Sequence, residues 1–135
     1  MLAVEFIKKR KKLCLVVSVA GLLFLFALFF ITSIQIGNNV KKNCQTAQQK
    51  YGGVCVEALM SWVSDDSTDI GKNEAIWTLG QFGDKNAISF LESYDNGQKI
   101  NERESWDRGI SQYELRKAVK LLKSDFNITA LVWRR

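Results

Sequence analysis

The chain has 135 residues, a formal net charge of +5, and neither histidine nor proline. Histidine is the side chain that most often serves as a general base or metal ligand near neutral pH, so its absence argues against such sites. Residues 1–12 carry five Lys or Arg and one Glu, whereas the rest of the chain carries 14 basic and 13 acidic residues. The basic excess therefore belongs to the N-terminus, and the chain lacks the basic domain that is typical of nucleic-acid-binding proteins.

The first predicted element is a transmembrane helix at residues 13–34. The twenty residues from Leu13 to Thr32 carry no charge, and as a helix they are about 30 Å long, the thickness of a bilayer's hydrocarbon core. A basic flank precedes them, formed by Lys8, Lys9, Arg10, Lys11 and Lys12. Because Lys and Arg concentrate on the cytoplasmic side of a span, this flank predicts a cytoplasmic segment at 1–12 that contacts the anionic inner leaflet. The sequence thus predicts a single-pass membrane protein with its C-terminal domain outside the cytoplasm.

A cleaved signal peptide is the alternative interpretation of this N-terminus. Its apolar region is typically about 7–15 residues long and ends at a small-x-small cleavage site. The apolar run here is longer, and residues 31–37 contain no such site. These features favour an uncleaved signal-anchor.

After the span, the sequence predicts only helices. Residues 35–53 are expected to form a juxtamembrane helix, either continuous with the span or angled away from it, which ends at the Gly52-Gly53 turn. Apolar residues then recur at helical spacing in four segments. These stripes are Cys55, Ala58, Leu59 and Trp62; Ala75, Ile76, Leu79 and Phe82; Ala87, Ile88, Leu91 and Tyr94; and Leu115, Ala118, Val119 and Leu122. The apolar tail at 125–135 predicts either a short strand or a lid over the last helix.

Local signals predict where several helices begin and end. Gly83 is expected to end the second of the four helices, and Asp84 to cap the third. The spacing Ser111-x-x-Glu114 is typical of a capping box, in which each side chain bonds the other residue's backbone N–H. The charged stretch at 96–110, which contains Trp106, predicts a loop with a helical turn.

The motif A-x-x-x-L-G-x-x-G-D, at Ala75, Leu79, Gly80, Gly83 and Asp84, resembles a HEAT-like repeat of the phycobilisome-lyase type. The resemblance covers residues 54–124 and implies a short α-solenoid of about two helical hairpins, with the overall class all-α. Two features depart from the family pattern: the insertion at 96–110, and Lys123-Ser124 in place of the expected ending of the second repeat. The family name suggests chromophore lyase activity, but most such repeats are binding scaffolds and no residue here carries lyase chemistry.

No catalytic, cofactor or metal site is expected. The sequence lacks a Gly-rich phosphate loop, a nucleophile elbow and a C-x-x-C pair. Asp65, Asp66 and Asp69 do not have EF-hand spacing, which favours a helix-capping loop over a calcium site. Asn127-Ile128-Thr129 is a glycosylation sequon only in a host that glycosylates. We therefore expect no cofactor and no small-molecule substrate.

Cys44 and Cys55 are the two cysteines that follow the span. A Gly-Gly turn lies between them, so they could join two antiparallel helices by a disulfide in an oxidising compartment. The alternative is that Cys55 is simply a buried residue of its helix, as its position in the stripe permits.

Trp77 is predicted to point away from its own helix's apolar stripe, by roughly 170° at 100° per residue. Aligning Leu79 with Leu122 places Lys120 level with Trp77 and Lys117 level with Glu74. This pattern predicts a partner-binding surface for an acidic or amphipathic segment, because buried tryptophans often dominate interface energies. Its residues are Trp77, Gln81, Lys117 and Lys120. The alternative is that the insertion or the tail folds over Trp77.

The function that these observations favour is a non-catalytic, membrane-anchored protein-interaction module. About three helical repeats are usually needed for stability, and this chain has about two. The juxtamembrane helix, the tail, a disulfide or other protein subunits must cover the remaining apolar surface. We therefore expect an extracytoplasmic scaffold or accessory subunit of a membrane or envelope assembly; the alternative is an immunity-like regulator or inhibitor of an envelope enzyme.

Overall fold

The computed structural model describes residues 2–65, 68–97, 109–124 and 126–134, with side chains from Cys14 onward. Every element within this part of the chain is helical. The helices are α1 (Leu2–Tyr51), α2 (Cys55–Ser64), α3 (Asp69–Phe82), α4 (Ile88–Glu92), α5 (Gln112–Lys123) and α6 (Ala130–Trp133), with a 3-10 turn at Lys85–Ala87 before α4. The predicted all-α class, with one long apolar helix at the N-terminus, is confirmed.

Helix α1 runs without interruption through both the predicted span and the predicted juxtamembrane helix. Its large apolar side chains between Leu15 and Ile34 are mostly exposed. Farther along, buried residues recur at alternating steps of four and three: Ser33, Gly37, Val40, Cys44 and Ala47. Such spacing keeps one helix face turned toward its neighbours. One half of α1 therefore presents apolar side chains outward, while the other half is part of the folded domain.

The core lies where α1, α2, α3 and α5 meet, and it contains the central residues of each predicted stripe. The residues at the ends of two predicted stripes are less buried than expected. Phe82, the last residue of α3, is 36% exposed, because Gly83 adopts a left-handed φ of 84° there and the chain turns away. On α2, Val56 and Val63 are buried whereas Cys55 and Trp62 are only half-buried. Helix α2 packs against both α1 and α3, so its buried face is wider than one stripe.

Helices α3 and α5 run parallel and approach closely at Gly80. A Cβ atom added to Gly80 would lie 2.7 Å from the Cα of Ala118, which explains why glycine occupies this position. The same separation of 38 residues recurs where the Ser111 N–H donates to Asn73. The predicted alignment of Leu79 with Leu122, 43 residues apart, is therefore wrong. The five-residue difference displaces Lys120 from Trp77 by about 7–8 Å along the helix.

The predicted capping box forms only in part. The Ser111 Oγ accepts a hydrogen bond from the Glu114 N–H at 3.3 Å. The Ser111 N–H, however, donates to the Oδ1 of Asn73 at 2.8 Å, and the Glu114 carboxylate pairs with Lys117 at 3.6 Å. A side chain from a different helix thus performs the second half of the cap.

The tail is neither a strand nor a lid over α5. It forms the short helix α6, which packs against α1. A Cβ on Gly37 would lie 2.5 Å from the Cβ of Trp133, so glycine allows this contact. The tail also reaches the end of α3, where the Asn127 Nδ2 donates to the Gln81 Oε1 at 3.2 Å and the Arg134 guanidinium donates to the Gln81 carbonyl.

The predicted loop at 96–110 lies mostly outside the described residues, as do Trp106 and Asp66. Of the neighbouring capping residues, Thr68 accepts from the Gly71 N–H at 3.4 Å, and Asp84 accepts from the Asn86 N–H at 2.9 Å. Both side chains therefore cap the helices that follow them.

Candidate partner-binding surface

Trp77 lines two separate depressions on the surface of the domain. On one side is a groove of about 540 Å³ between α1 and α3. Its lining residues are Asn39, Lys42, Asn43, Thr46, Trp62, Glu74 and Trp77. On the other side is a narrow cleft between α3 and α5, lined by Trp77, Gln81, Glu114, Lys117, Ala118 and Leu121. The indole is half-buried and packs against the core, so it is neither fully presented to a partner nor enclosed.

The floor of the groove is held by a hydrogen bond between helices. The Asn43 Nδ2 donates to the Thr78 Oγ1 at 2.8 Å, and the Thr78 hydroxyl donates to the Glu74 carbonyl at 2.7 Å. The first of these two hydrogen bonds links α1 to α3 directly beside Trp77. The groove is present in the chain without a bound partner.

Gln81 does not belong to an open surface. The residue is only 8% exposed, and its side chain accepts a hydrogen bond from Asn127 of the tail. The tail therefore covers Gln81, which corrects the prediction that this residue contacts a partner.

The two predicted lysines differ in what they contact. Lys117 pairs with Glu114 at 3.6 Å, and its Nζ lies 5.4 Å from the centre of the Tyr113 ring. Lys120 is exposed, but the register of α3 and α5 places it beyond Trp77. Sequence reasoning missed Lys42, which is exposed and borders the groove with Trp62 and Trp77. Only the packing of α1 on α3 brings Lys42 to this site, so no local pattern could have indicated it.

The structure brings Cys44 and Cys55 together in a disulfide, with Cα atoms 5.1 Å apart. At the other end of α2, Asp65 accepts hydrogen bonds from the Tyr51 hydroxyl at 2.6 Å and from Lys50 at 2.8 Å. These two contacts occur in the same order along α1 and α2, so the helices run in the same general direction and are not antiparallel as predicted. Gly52 and Gly53, with left-handed φ values of 73° and 72°, and the extended Val54 return the chain to Cys55.

Helix α1 is the one described helix that is long and apolar enough to cross a membrane. The basic flank Lys8–Lys12 lies in the same helix, N-terminal to the apolar run, and its side chains are outside the described part. Among the side chains that the structure describes, no group of three or more His, Cys, Asp or Glu could hold a metal ion.

No protein-family model matches the chain, and no curated protein or solved structure matches it significantly. The HEAT-like assignment therefore depends on the motif residues themselves, and any functional statement depends on the geometry described above.

Proposed function

We propose that this chain is a single-pass membrane protein whose folded domain is a non-catalytic binding module for other protein subunits. The observation that carries the proposal is the division of α1 into an exposed apolar half and a half buried in the domain. Because α1 is one continuous helix, there is no break between its two halves at which the domain could change its angle to the span. The span would therefore hold the binding surface at a fixed height above the bilayer.

The charge distribution and the disulfide support an extracytoplasmic domain. Five cations precede the span, and the positive-inside rule then places the N-terminus in the cytoplasm. Disulfides persist mainly in oxidising compartments, which agrees with a domain outside the cytoplasm. Protease added to intact cells or protoplasts should remove the domain, whereas complete protection would contradict this orientation.

The HEAT-like proposal is supported by the way the helices pair. Helix α2 packs on α3, α4 packs on α5, and α3 contacts α5, as expected for two stacked hairpins with adjacent second helices. Helix α1 covers α2 and α3. In this proposal the second half of α1 replaces the repeat that a longer solenoid would supply.

We assign the partner to the groove beside Trp77, and we propose that it presents an acidic segment with apolar side chains. Two half-buried tryptophans, Trp62 and Trp77, supply apolar area. Lys42 supplies an exposed positive charge with no ion pair to any described residue. Tryptophan and positive charge in a preformed depression favour such a segment.

Charge reversal at Lys42 tests this assignment with a matched control. Lys42→Glu should reduce co-purification of the partner from mild detergent without changing the thermal midpoint, because the side chain is exposed. The control is Lys41→Glu, since Lys41 is also exposed but borders a different cavity, beside the disulfide and Trp133. Equal loss of partner in both variants would contradict the groove assignment.

Trp77→Ala should reduce co-purification too, and it should also lower the thermal midpoint because the indole packs against the core. The variant therefore supports the assignment only together with Lys42→Glu. If the captured partner is an enzyme whose rate changes on binding, the regulator function would replace the scaffold function.

A further inference from the structure

The C-terminal tail exposes three large apolar side chains. Phe126 is 64% exposed, Ile128 is 53% exposed and Leu131 is 61% exposed. They lie within six residues of one another, directly before Trp133 and Arg134. Large exposed apolar patches mark protein–protein or membrane interaction sites.

The tail lies beside the apolar half of α1. Ile128 borders an apolar depression of about 320 Å³ together with Leu22, Leu25, Phe26 and Phe29 of α1. Phe29 is half-buried, whereas the apolar side chains of the preceding turns are exposed. The surface of the tail is therefore continuous with the outward-facing surface of the span.

The depth of this contact follows from the helix geometry. The most apolar part of α1 ends at Thr32, before the polar residues Ser33 and Gln35. Along the helix, Phe29 lies about 4–5 Å inside this part, Phe26 about 9 Å and Leu22 about 15 Å. Interfacial segments bury their apolar side chains about 5–10 Å into the boundary between headgroups and acyl chains. The outer end of the depression that Ile128 borders, at Phe29 and Phe26, thus lies at the depth that an interfacial segment occupies.

The tail is held in this position by contacts at both of its ends. Trp133 packs on Gly37, and Asn127 donates to Gln81. Within the tail, the Thr129 hydroxyl donates to the Asn127 Oδ1 at 2.8 Å, whereas the buried indole Nε1 of Trp133 has no hydrogen-bond partner among the described residues.

We propose that residues 126–133 insert into the leaflet on the C-terminal side of the span, as a second membrane contact of this chain. The inference rests on the proposed membrane anchoring, since a chain outside a bilayer has no leaflet to enter. Acyl chains of that leaflet fill the depression beside Ile128 and cover Phe126 and Leu131. Trp133 and Arg134 lie at the headgroup level, where tryptophan and snorkelling arginine are favoured. Two membrane contacts then fix the rotation of the domain about the span, and with it the direction in which the Trp77 groove faces.

Depth-dependent fluorescence quenching tests the inference in the full chain reconstituted into phosphatidylcholine nanodiscs. An environment-sensitive fluorophore is attached to single cysteines in a Cys14→Ser background, under conditions that preserve the Cys44–Cys55 disulfide. The test variants are Ile128→Cys and Leu131→Cys, and the second is the milder change because Leu131 is more exposed. Phe24→Cys reports the span, and Ser89→Cys on α4, also exposed, reports the aqueous domain.

We expect lipids with a quencher near the headgroup to remove most of the fluorescence from both tail positions. Lipids with a quencher deep in the acyl chain should instead act most strongly on Phe24→Cys, and neither lipid should affect Ser89→Cys. Quenching at Phe24→Cys while both tail probes behave like Ser89→Cys would overturn the tail insertion alone. Absence of quenching at Phe24→Cys would overturn the membrane anchoring, and the tail insertion with it.

Discussion

Asn73 connects the start of α3 to the start of α5, and its replacement should destabilise the domain more than that of any exposed asparagine. The side chain is fully buried. Its Nδ2 donates to the Asp69 carbonyl at 3.0 Å and to the Gly109 carbonyl at 2.8 Å, and its Oδ1 accepts from the Ser111 N–H at 2.8 Å. The substitution Asn73→Leu keeps a similar shape and removes these hydrogen bonds.

The magnitude follows from the partners that are left behind. Ser111 is buried, so its N–H would lose its acceptor without access to water, at about 1–3 kcal/mol. Gly109 is only half-buried, so its carbonyl can reach water and the loss there is about 1 kcal/mol. The Asp69 carbonyl lies in the first turn of the same helix and contributes least. The free energy of unfolding should therefore fall by about 2–4 kcal/mol, which for about a hundred folded residues lowers the thermal midpoint by roughly 8–20 °C.

Thermal unfolding of the full chain in detergent, followed by near-UV circular dichroism, measures this change. Asn86→Leu is the matched control, because Asn86 is exposed and surface changes of this kind usually alter stability by less than about 0.5 kcal/mol. A midpoint for Asn73→Leu equal to that of Asn86→Leu would refute the reasoning that Asn73 organises the start of α5.

Three further predictions concern stability. Replacing both Cys44 and Cys55 by alanine should lower the free energy of unfolding by about 2–3 kcal/mol in the chain-entropy account, and non-reducing peptide mapping of the native chain should find the two residues joined. Gly80→Ala should cost about 1–3 kcal/mol by overpacking against the α5 backbone, measured by the same thermal unfolding. The Arg116 side chain, with help from the Gly97 N–H, lowers the pKa of Asp95 below its ordinary 3.8. Because the pKa of Asp95 is lower in the folded than in the unfolded state, its ionised carboxylate stabilises the fold. The stability advantage of the native chain over Asp95→Asn should therefore be complete above about pH 4 and should vanish as the pH falls through the lowered pKa.

Each of these predictions has an internal control. Cys14→Ser removes the free cysteine and should leave the midpoint unchanged, whereas alkylation of both Cys44 and Cys55 in the native envelope would exclude the disulfide. Gly21→Ala should be neutral, since a Cβ there meets nothing within 4 Å; an equally neutral Gly80→Ala would show that α3 and α5 are farther apart. For Asp95, a midpoint difference that is the same at every pH would show that its carboxylate contributes no charge-dependent stability.

Features that depend on a few neighbouring residues were predictable from the sequence. The long apolar helix at the N-terminus, a candidate membrane span, follows from twenty uncharged residues after a basic cluster, and length and hydropathy alone indicate it. Gly83 ends α3 and Ser111 caps α5, because left-handed glycine and N-capping serine act within one turn of a helix. The central apolar residues of each helix were equally clear from their spacing.

The candidate site could be predicted only in part. Trp77 was identified because its position on the helix is a local property, and the structure does place it beside a groove. Gln81 was assigned to the same surface on the same local argument, but the tail, 46 residues farther along, covers it. Lys42 was missed because α1 reaches the groove only through its packing on α3.

What the sequence alone determined is thus helices α1 to α5, the central residues of their apolar faces and an apolar length sufficient to span a membrane. Only the tertiary structure decided the helical form of the tail and its position against the apolar half of α1, the register of α3 against α5, and the direction of α2 along α1. Each of these depends on contacts between residues far apart in the chain, such as Gly80 with Ala118 and Gly37 with Trp133. Helical periodicity states which side of a helix is apolar, but several neighbours can cover that side equally well. The choice among them depends on shape at single positions, where the absence of a Cβ atom allows one close approach and no other.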